Sequence, residues 1–168
     1  TTAEYPETKL GWDSVYAYND EAFGEDGTLG RRNRQEVVLT RYLRAALVKF
    51  NQHLNLPESA YEDAIRQITE FSSTLSMLST NREKYDLLKD GVQVSYRDAQ
   101  GELKRERLRV FDFKNPKENH FLCVREMWVY GSIYHRRPDI LGFVNGLPLI
   151  FVELKNIHRD IKVAFEKN

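Results

Sequence analysis

The sequence predicts an α/β fold, a mixed β-sheet flanked by helices. Apolar residues recur at helical spacing through the first half of the chain, from Leu39 to about Leu88. From Val92 onward they alternate in short runs bounded by turn residues, the period of strands. Asn145-Gly146 lies between two apolar runs, the strongest short hairpin signal, because both residues accept positive φ at little cost. Three helices, then strands, then a last helical stretch place one sheet with helices on its faces. The 168 residues suit a single domain, with residues 1–30 as an amino-terminal arm and 31–168 as the helices and sheet.

The elements follow in order. Residues 1–30 lack a clear period and read as an extended arm packing Leu10, Trp12, Tyr16 and Phe23 onto the domain. The arm ends in GEDGTLG, which lacks the GK[ST] of a phosphate-binding loop and is read as a turn. Asn33 is expected to open a helix to about Asn51, with Glu36 three residues on as a capping partner and Leu39, Leu43, Leu47 and Phe50 as its apolar stripe. Pro57 and the Ser59/Glu62 pair start a second helix with Tyr61, Ile65, Ile68 and Phe71 inward. Thr80 and Glu83 cap a third that ends near Gly91. Val92 to Arg97 and Leu103 to Phe113 form a hairpin around residues 98–101, Asn115-Pro116 breaks the chain, and Phe121 to Tyr134 is a strand with a turn near Gly131. Leu147 to Val152 is almost continuously apolar, as in a strand buried on both faces, and a helix begins at Asp160.

The chemistry concentrates in RRPDILGFVNGLPLIFVELKN, residues 136–156. Its second apolar run ends in a carboxylate and an ammonium, Glu153 and Lys155, which strand alternation puts on one face. A hard divalent cation such as Mg²⁺ takes carboxylate and carbonyl oxygens, and Asp139, Glu153 and the carbonyl of Leu154 supply that set. Lys155 would stand beside the metal-bound water, a donor set suited to phosphodiester hydrolysis. The reading imposes a condition on register. With a strict two-residue turn Asp139 lies opposite Val152, on the face away from Glu153; one extra residue, in the loop or as a bulge, brings it opposite Glu153.

Composition narrows the alternatives. With 41% hydrophobic residues and a mean hydropathy of −0.59, neither disorder nor membrane insertion is indicated. The single Cys123 reads as core, and with no secretory signal it fits a reducing cytoplasm. His53, His120, His135 and His158 show no zinc spacing, and no G-x-S-x-G elbow is present. Net charge is zero, so contact with nucleic acid would need a local basic rim. Its candidates are Arg31, Arg32, Arg34, Lys104, Arg105, Arg107, Arg109, Arg136, Arg137, Arg159 and Lys162, with Arg136 and Arg137 favoured beside Asp139. His135 and His158 flank the same region, and Tyr130 and Tyr134 could stack on bases, although strand aromatics more often pack.

The PD…ELK pattern resembles the PD-(D/E)xK nuclease signature. RVFDFKNPKENHFLCVREMWV (residues 109–129), followed by residues 136–156, closely resembles the amino-terminal nuclease region of the restriction (R) subunit of type I restriction-modification enzymes. The likeness extends upstream through residues 10–12, 32–39 and 54–69. It implies a restriction-endonuclease-like core and a Mg²⁺-dependent endonuclease that cuts double-stranded DNA, with Asp139, Glu153 and Lys155 as its triad. It further implies an acid from the first helix, Glu36; Arg136, Arg137, His158 and Arg159 are read as DNA contacts from their charge and their place beside the pair. ATP would serve motor domains elsewhere in a longer parent, and methyltransferase and specificity subunits would be partners. The family's Gln-x-x-x-Tyr pair is absent here; Lys167 stands nearest the Gln position. Two other readings stay open: another nuclease of this fold, for repair or junction resolution, or a non-catalytic DNA-binding or assembly module in which Glu153 and Lys155 form an ion pair.

Overall fold

The computed structural model describes residues 5–70 and 76–154. In chain order its elements are α1 (Tyr5–Leu10), β1 (Asp13–Tyr16), α2 (Thr40–Asn51), α3 (Glu58–Thr69), α4 (Met77–Asp90), β2 (Val92–Arg97), β3 (Leu103–Leu108), β4 (Phe121–Arg125), β5 (Val129–Tyr130), β6 (His135–Arg136), β7 (Ile140–Val144) and β8 (Leu147–Val152). Four strands form the main sheet in the order β1-β4-β7-β8. β1 runs parallel to β4 and the other pairs are antiparallel, so the sheet is mixed, as expected. β2 and β3 pair as a separate hairpin, and β5 and β6 as a short ribbon.

The amino-terminal segment joins the sheet rather than only packing on the domain as an extended arm. Residues 13–16 are an edge strand of the sheet, and the Ala17 N–H continues the ladder by donating to the Arg125 carbonyl (3.0 Å). Four residues are too few to show a period, so backbone pairing decides what the side chains cannot announce. Leu10, Tyr16 and Phe23 stay exposed; Ala17 and Leu29 are buried in their place, and Trp12 packs on Phe121 with ring centroids 5.2 Å apart.

The first long helix begins at Thr40 rather than Asn33. The Asn33 Oδ1 accepts the N–H groups of Gln35 and Glu36, closing a turn that competes with helix. The Leu39 N–H donates instead to the Gly146 carbonyl (2.8 Å), docking the start of α2 on the Asn145-Gly146 turn. α4 is capped by Ser76, whose Oγ accepts the Ser79 N–H, while Thr80 is buried inside the helix. Gly91 ends that helix as expected. β3 stops at Leu108, five residues short of the expected end, and Phe71 and the helix from Asp160 lie outside the described residues.

Two apolar clusters form the interior. One joins Leu43 and Leu47 of α2, Ala60, Tyr61, Ala64 and Ile68 of α3, and Val92, Val94 and Leu108 of the β2–β3 hairpin. The other packs Ala17, Leu29, Leu39 and Met127 against Leu122, Val124, Leu141 and Phe143 on one face of the sheet. The turn between β7 and β8 links them. Asn145 (φ +51) and Gly146 (φ +79) both adopt left-handed backbone. The buried Asn145 side chain donates to the Val110 carbonyl and to Asn119 Oδ1, and accepts from the His120 N–H. A Cβ on Gly146 would sit 2.4 Å from the Leu39 carbonyl oxygen and 2.8 Å from the Leu43 nitrogen. Gly146→Ala therefore combines a left-handed penalty with a backbone clash, and should lower stability by about 2–3 kcal/mol in denaturant unfolding.

β8 corrects the expectation of a strand buried on both faces. It is an edge of the described sheet, and Leu149, Ile150 and Phe151 are 54%, 43% and 59% exposed. A continuous apolar run gives composition without saying which edges are covered. The pairing also slips: Val144 faces Leu147 and Phe143 faces Pro148, but Gly142 faces Ile150, leaving Leu149 as a bulge. Pro148, which has no N–H for the ladder, stands beside the slip, where proline is tolerated.

Asn115-Pro116 breaks the chain as expected, in a turn that Asp112 closes. Asp112 Oδ1 accepts the N–H groups of Asn115 and Lys114, both at 3.0 Å, and Asp112 pairs with Arg109. The Asn115 N–H first, then those of Lys114 and the Arg109 charge, hold the Asp112 carboxyl below the usual aspartate range. A carboxyl depressed in the fold stabilises above its unfolded value, about 3.9, and that contribution is lost as pH falls through the folded value. Asp112→Asn should therefore unfold at lower temperature than wild type at neutral pH, with the gap closing below about pH 4.

Candidate functional site

The bulge at Leu149 decides the geometry of the carboxylates. Beyond it Leu141 faces Phe151 and Ile140 faces Val152, so the next pair outward is Asp139 and Glu153. The condition that the sequence imposed on register is met, by a bulge rather than by a longer loop. The Leu154 N–H donates to Asp139 Oδ2 at 2.6 Å, tying the two strand ends together at the carboxylate. Both acids are half-buried, and Pro138 is buried behind them. On the other side of β7 the Glu126 N–H donates to the Asp139 carbonyl (3.0 Å), so Asp139 is held from both neighbouring strands.

Two carboxylates at paired strand ends are the kind of oxygen donors that could hold a hard cation such as Mg²⁺. Glu36 does not join them. Its carboxylate accepts the Arg32 N–H (2.7 Å) and the Thr40 hydroxyl (3.4 Å). Among the described residues no group of three His, Cys, Asp or Glu side chains converges. Lys155, His158, Arg159 and Lys162 lie outside the described residues.

In the segment just before Asp139 the structure brings arginines against aromatic rings from distant parts of the chain. Arg137 lies over Tyr18 at 4.4 Å and Trp128 at 5.5 Å and pairs with Glu126 at 3.3 Å. Arg34 lies over Tyr130 at 5.1 Å and donates to its hydroxyl at 2.6 Å. Tyr130 stacks on His135 with centroids 3.8 Å apart, and Arg136 lies over the exposed Tyr134 at 5.8 Å. Arg31 leaves the rim altogether: it is fully buried, bound to Glu21 through two contacts of 2.5 Å and to the Trp128 carbonyl at 2.8 Å. Lys104, Arg105 and Arg107 belong to the separate β2–β3 hairpin.

Glu126, Tyr18 and Trp128 join these contacts without a local signal in the sequence. Glu126 has φ +52, an uncommon conformation for glutamate, and it ends β4 beside Asp139. No local signal announces that. Tyr18 reaches Arg137 only because β1 pairs with β4.

The family model for the type I restriction enzyme R protein N terminus matches residues 5–167. The chain belongs to this family. It is 38% identical over 152 residues to the type I restriction enzyme HindI endonuclease subunit of Haemophilus influenzae, covering 90% of this chain and 14% of that subunit. It is also 33% identical over 75 residues to a Methanocaldococcus jannaschii sequence named as the MjaIXP endonuclease subunit, covering 43% of this chain and 7% of that one. A second sequence from that organism, named as the MjaVIIIP endonuclease subunit, is 24% identical over 148 residues, 88% of this chain and 13% of that one. The R protein N-terminal chain thus spans about a seventh of the HindI subunit's length. The resemblance read from the sequence is the family that the comparison finds.

Proposed function

We propose that this chain is the nuclease part of a type I restriction enzyme, hydrolysing phosphodiester bonds of double-stranded DNA with Mg²⁺. The observation that carries the reading is the Leu149 bulge, which brings Asp139 opposite Glu153. Asp139, Glu153 and the Leu154 carbonyl would hold the ion. When bound, Mg²⁺ would polarise a phosphoryl oxygen and make a bound water more acidic. Asp139 is oriented for this by the Leu154 N–H, and we assign Lys155 to the charge that builds on the phosphorus. Arg136 and Arg137, with His158 and Arg159 further on, are assigned to the DNA backbone. ATP-driven translocation is assigned to other domains of a longer parent, which would assemble with methyltransferase and specificity subunits. No helix among the described residues is long and apolar enough to cross a membrane, and we place the enzyme in the cytoplasm.

Calorimetry with Mg²⁺ or Mn²⁺ tests the reading on wild type, Asp139→Ala and Glu153→Ala. Binding by the wild type that both substitutions abolish is the expected result. A wild type that takes up no metal even with DNA present would sink the nuclease assignment in favour of an assembly module.

A further inference from the structure

We infer that the β5–β6 ribbon is a wedge for the minor groove of duplex DNA beside the cut, an assignment that rests on the nuclease reading for its place near Asp139. The ribbon is built to be rigid at its base and apolar at its tip. Val129 pairs with Arg136 and Tyr130 with His135, and the Gly131 N–H closes the tip by donating to the Tyr134 carbonyl at 2.8 Å. Next to the turn the Tyr130 N–H donates to the Arg34 carbonyl at 2.9 Å, and Arg34 returns a hydrogen bond to the Tyr130 hydroxyl. Arg31, itself buried, holds the neighbouring Trp128 carbonyl. A loop so anchored binds without a large ordering cost.

At the tip, Ile133 is 77% and Tyr134 69% exposed. Side by side on the turn and outside both core clusters, these two side chains offer an apolar contact to a partner. Charge identifies it. Residues 127–138, between Glu126 and Asp139, contain no Asp or Glu and carry His135, Arg136 and Arg137, of which Arg137 pairs with Glu126 at 3.3 Å. A protein-docking ribbon has no need of that bias, whereas a polyanion does. An apolar tip flanked by cations is how proteins enter the minor groove, where a branched or aromatic side chain parts a base step and arginine follows the narrow groove. Such a contact is largely indifferent to sequence. Ile133 stands six residues before Asp139, at most ~20 Å of extended chain, so the wedge would enter within ~6 base pairs of the phosphate being cut.

The test is duplex binding by this chain, followed by fluorescence anisotropy with Ca²⁺ in place of Mg²⁺ across a salt series. The Ile133→Ser, Tyr134→Ser double variant should bind a short mixed-sequence duplex roughly 10- to 100-fold more weakly, with an unchanged salt slope, because no phosphate contact is removed. Arg136→Gln should flatten the log–log salt slope by about 1. Netropsin, which fills the minor groove, should compete with the wild type. Unfolding temperatures would verify that each variant is folded. A double variant that binds within about twofold of wild type, a wild type that binds no duplex, or indifference to netropsin overturns the inference. So does loss of association with partner subunits at unchanged DNA affinity, which would make the ribbon a protein contact. Metal calorimetry at Asp139 and Glu153 is independent of the ribbon, so failure of the wedge and failure of the nuclease reading are separately visible.

Discussion

Asp139→Asn will lower metal-dependent cleavage of duplex DNA by about a thousand-fold or more, and Glu153→Gln will do the same. Placing a metal at a phosphoryl centre is worth several kcal/mol, and each 1.4 kcal/mol is about tenfold in rate. Asparagine is chosen because it keeps the shape of aspartate and an oxygen for the Leu154 N–H, now 2.6 Å from Asp139 Oδ2. Only the charge is removed. Alanine removes the acceptor as well, and leaves a strand-end N–H to find water. The pair of substitutions therefore separates two roles. If Asp139 only pins β8 to β7, asparagine will cleave as the wild type does and alanine alone will be impaired. If it holds the ion, both will be inactive, and the asparagine variant will unfold within a few degrees of wild type. Cleavage measured in the assembled parent enzyme, with thermal unfolding of this chain alongside, distinguishes the cases.

Arg31→Ala will destabilise the chain by about 3–5 kcal/mol, because it strands a buried carboxylate. The Arg31 and Glu21 side chains are 0% and 3% exposed and meet through two contacts. The guanidinium further donates to the carbonyls of Arg34, Glu36 and Trp128. Its loss leaves those acceptors and the Glu21 charge in apolar surroundings. For a chain of this size the drop corresponds to about 6–20 °C in unfolding temperature. The Arg31→Met, Glu21→Leu double variant should recover most of it, since replacing both partners removes the stranded charge. A single variant within a degree of wild type would show that water reaches the site. Arg31 also joins the amino-terminal segment to the base of the β5–β6 ribbon, through Glu21 and the Trp128 carbonyl.

The part of the site that could be read from sequence is local. Asn145-Gly146 announces its turn because two left-handed residues in succession are costly for almost any other pair. Pro138-Asp139 and Glu153 stand at the ends of the paired runs, so counting along the hairpin sufficed to pose the register condition. What could not be counted was the bulge. It depends on Pro148 lacking a donor and on Gly142 fitting tightly, where an added Cβ would lie 2.9 Å from Ile150 and 3.1 Å from the Trp12 ring. The same limit explains Asn33. Its spacing to Glu36 matches a helix cap, yet its carboxamide closes a turn instead, because Leu39 is already committed to Gly146.

By itself the sequence determined the α/β class, the hairpin and its two terminal carboxylates, the helical stripes of α2 and α3, and the family. Each is written in spacings of a few residues, where backbone geometry acts directly on side-chain period. Tertiary structure decided that residues 13–16 are a strand, that Arg31 is buried with Glu21, that Glu36 serves a turn, and that Arg137 is held between Tyr18 and Trp128. Those outcomes join residues as far as 119 positions apart, from Tyr18 to Arg137. They rest on which surfaces exclude water from which charges, and that is fixed only when the segments have packed.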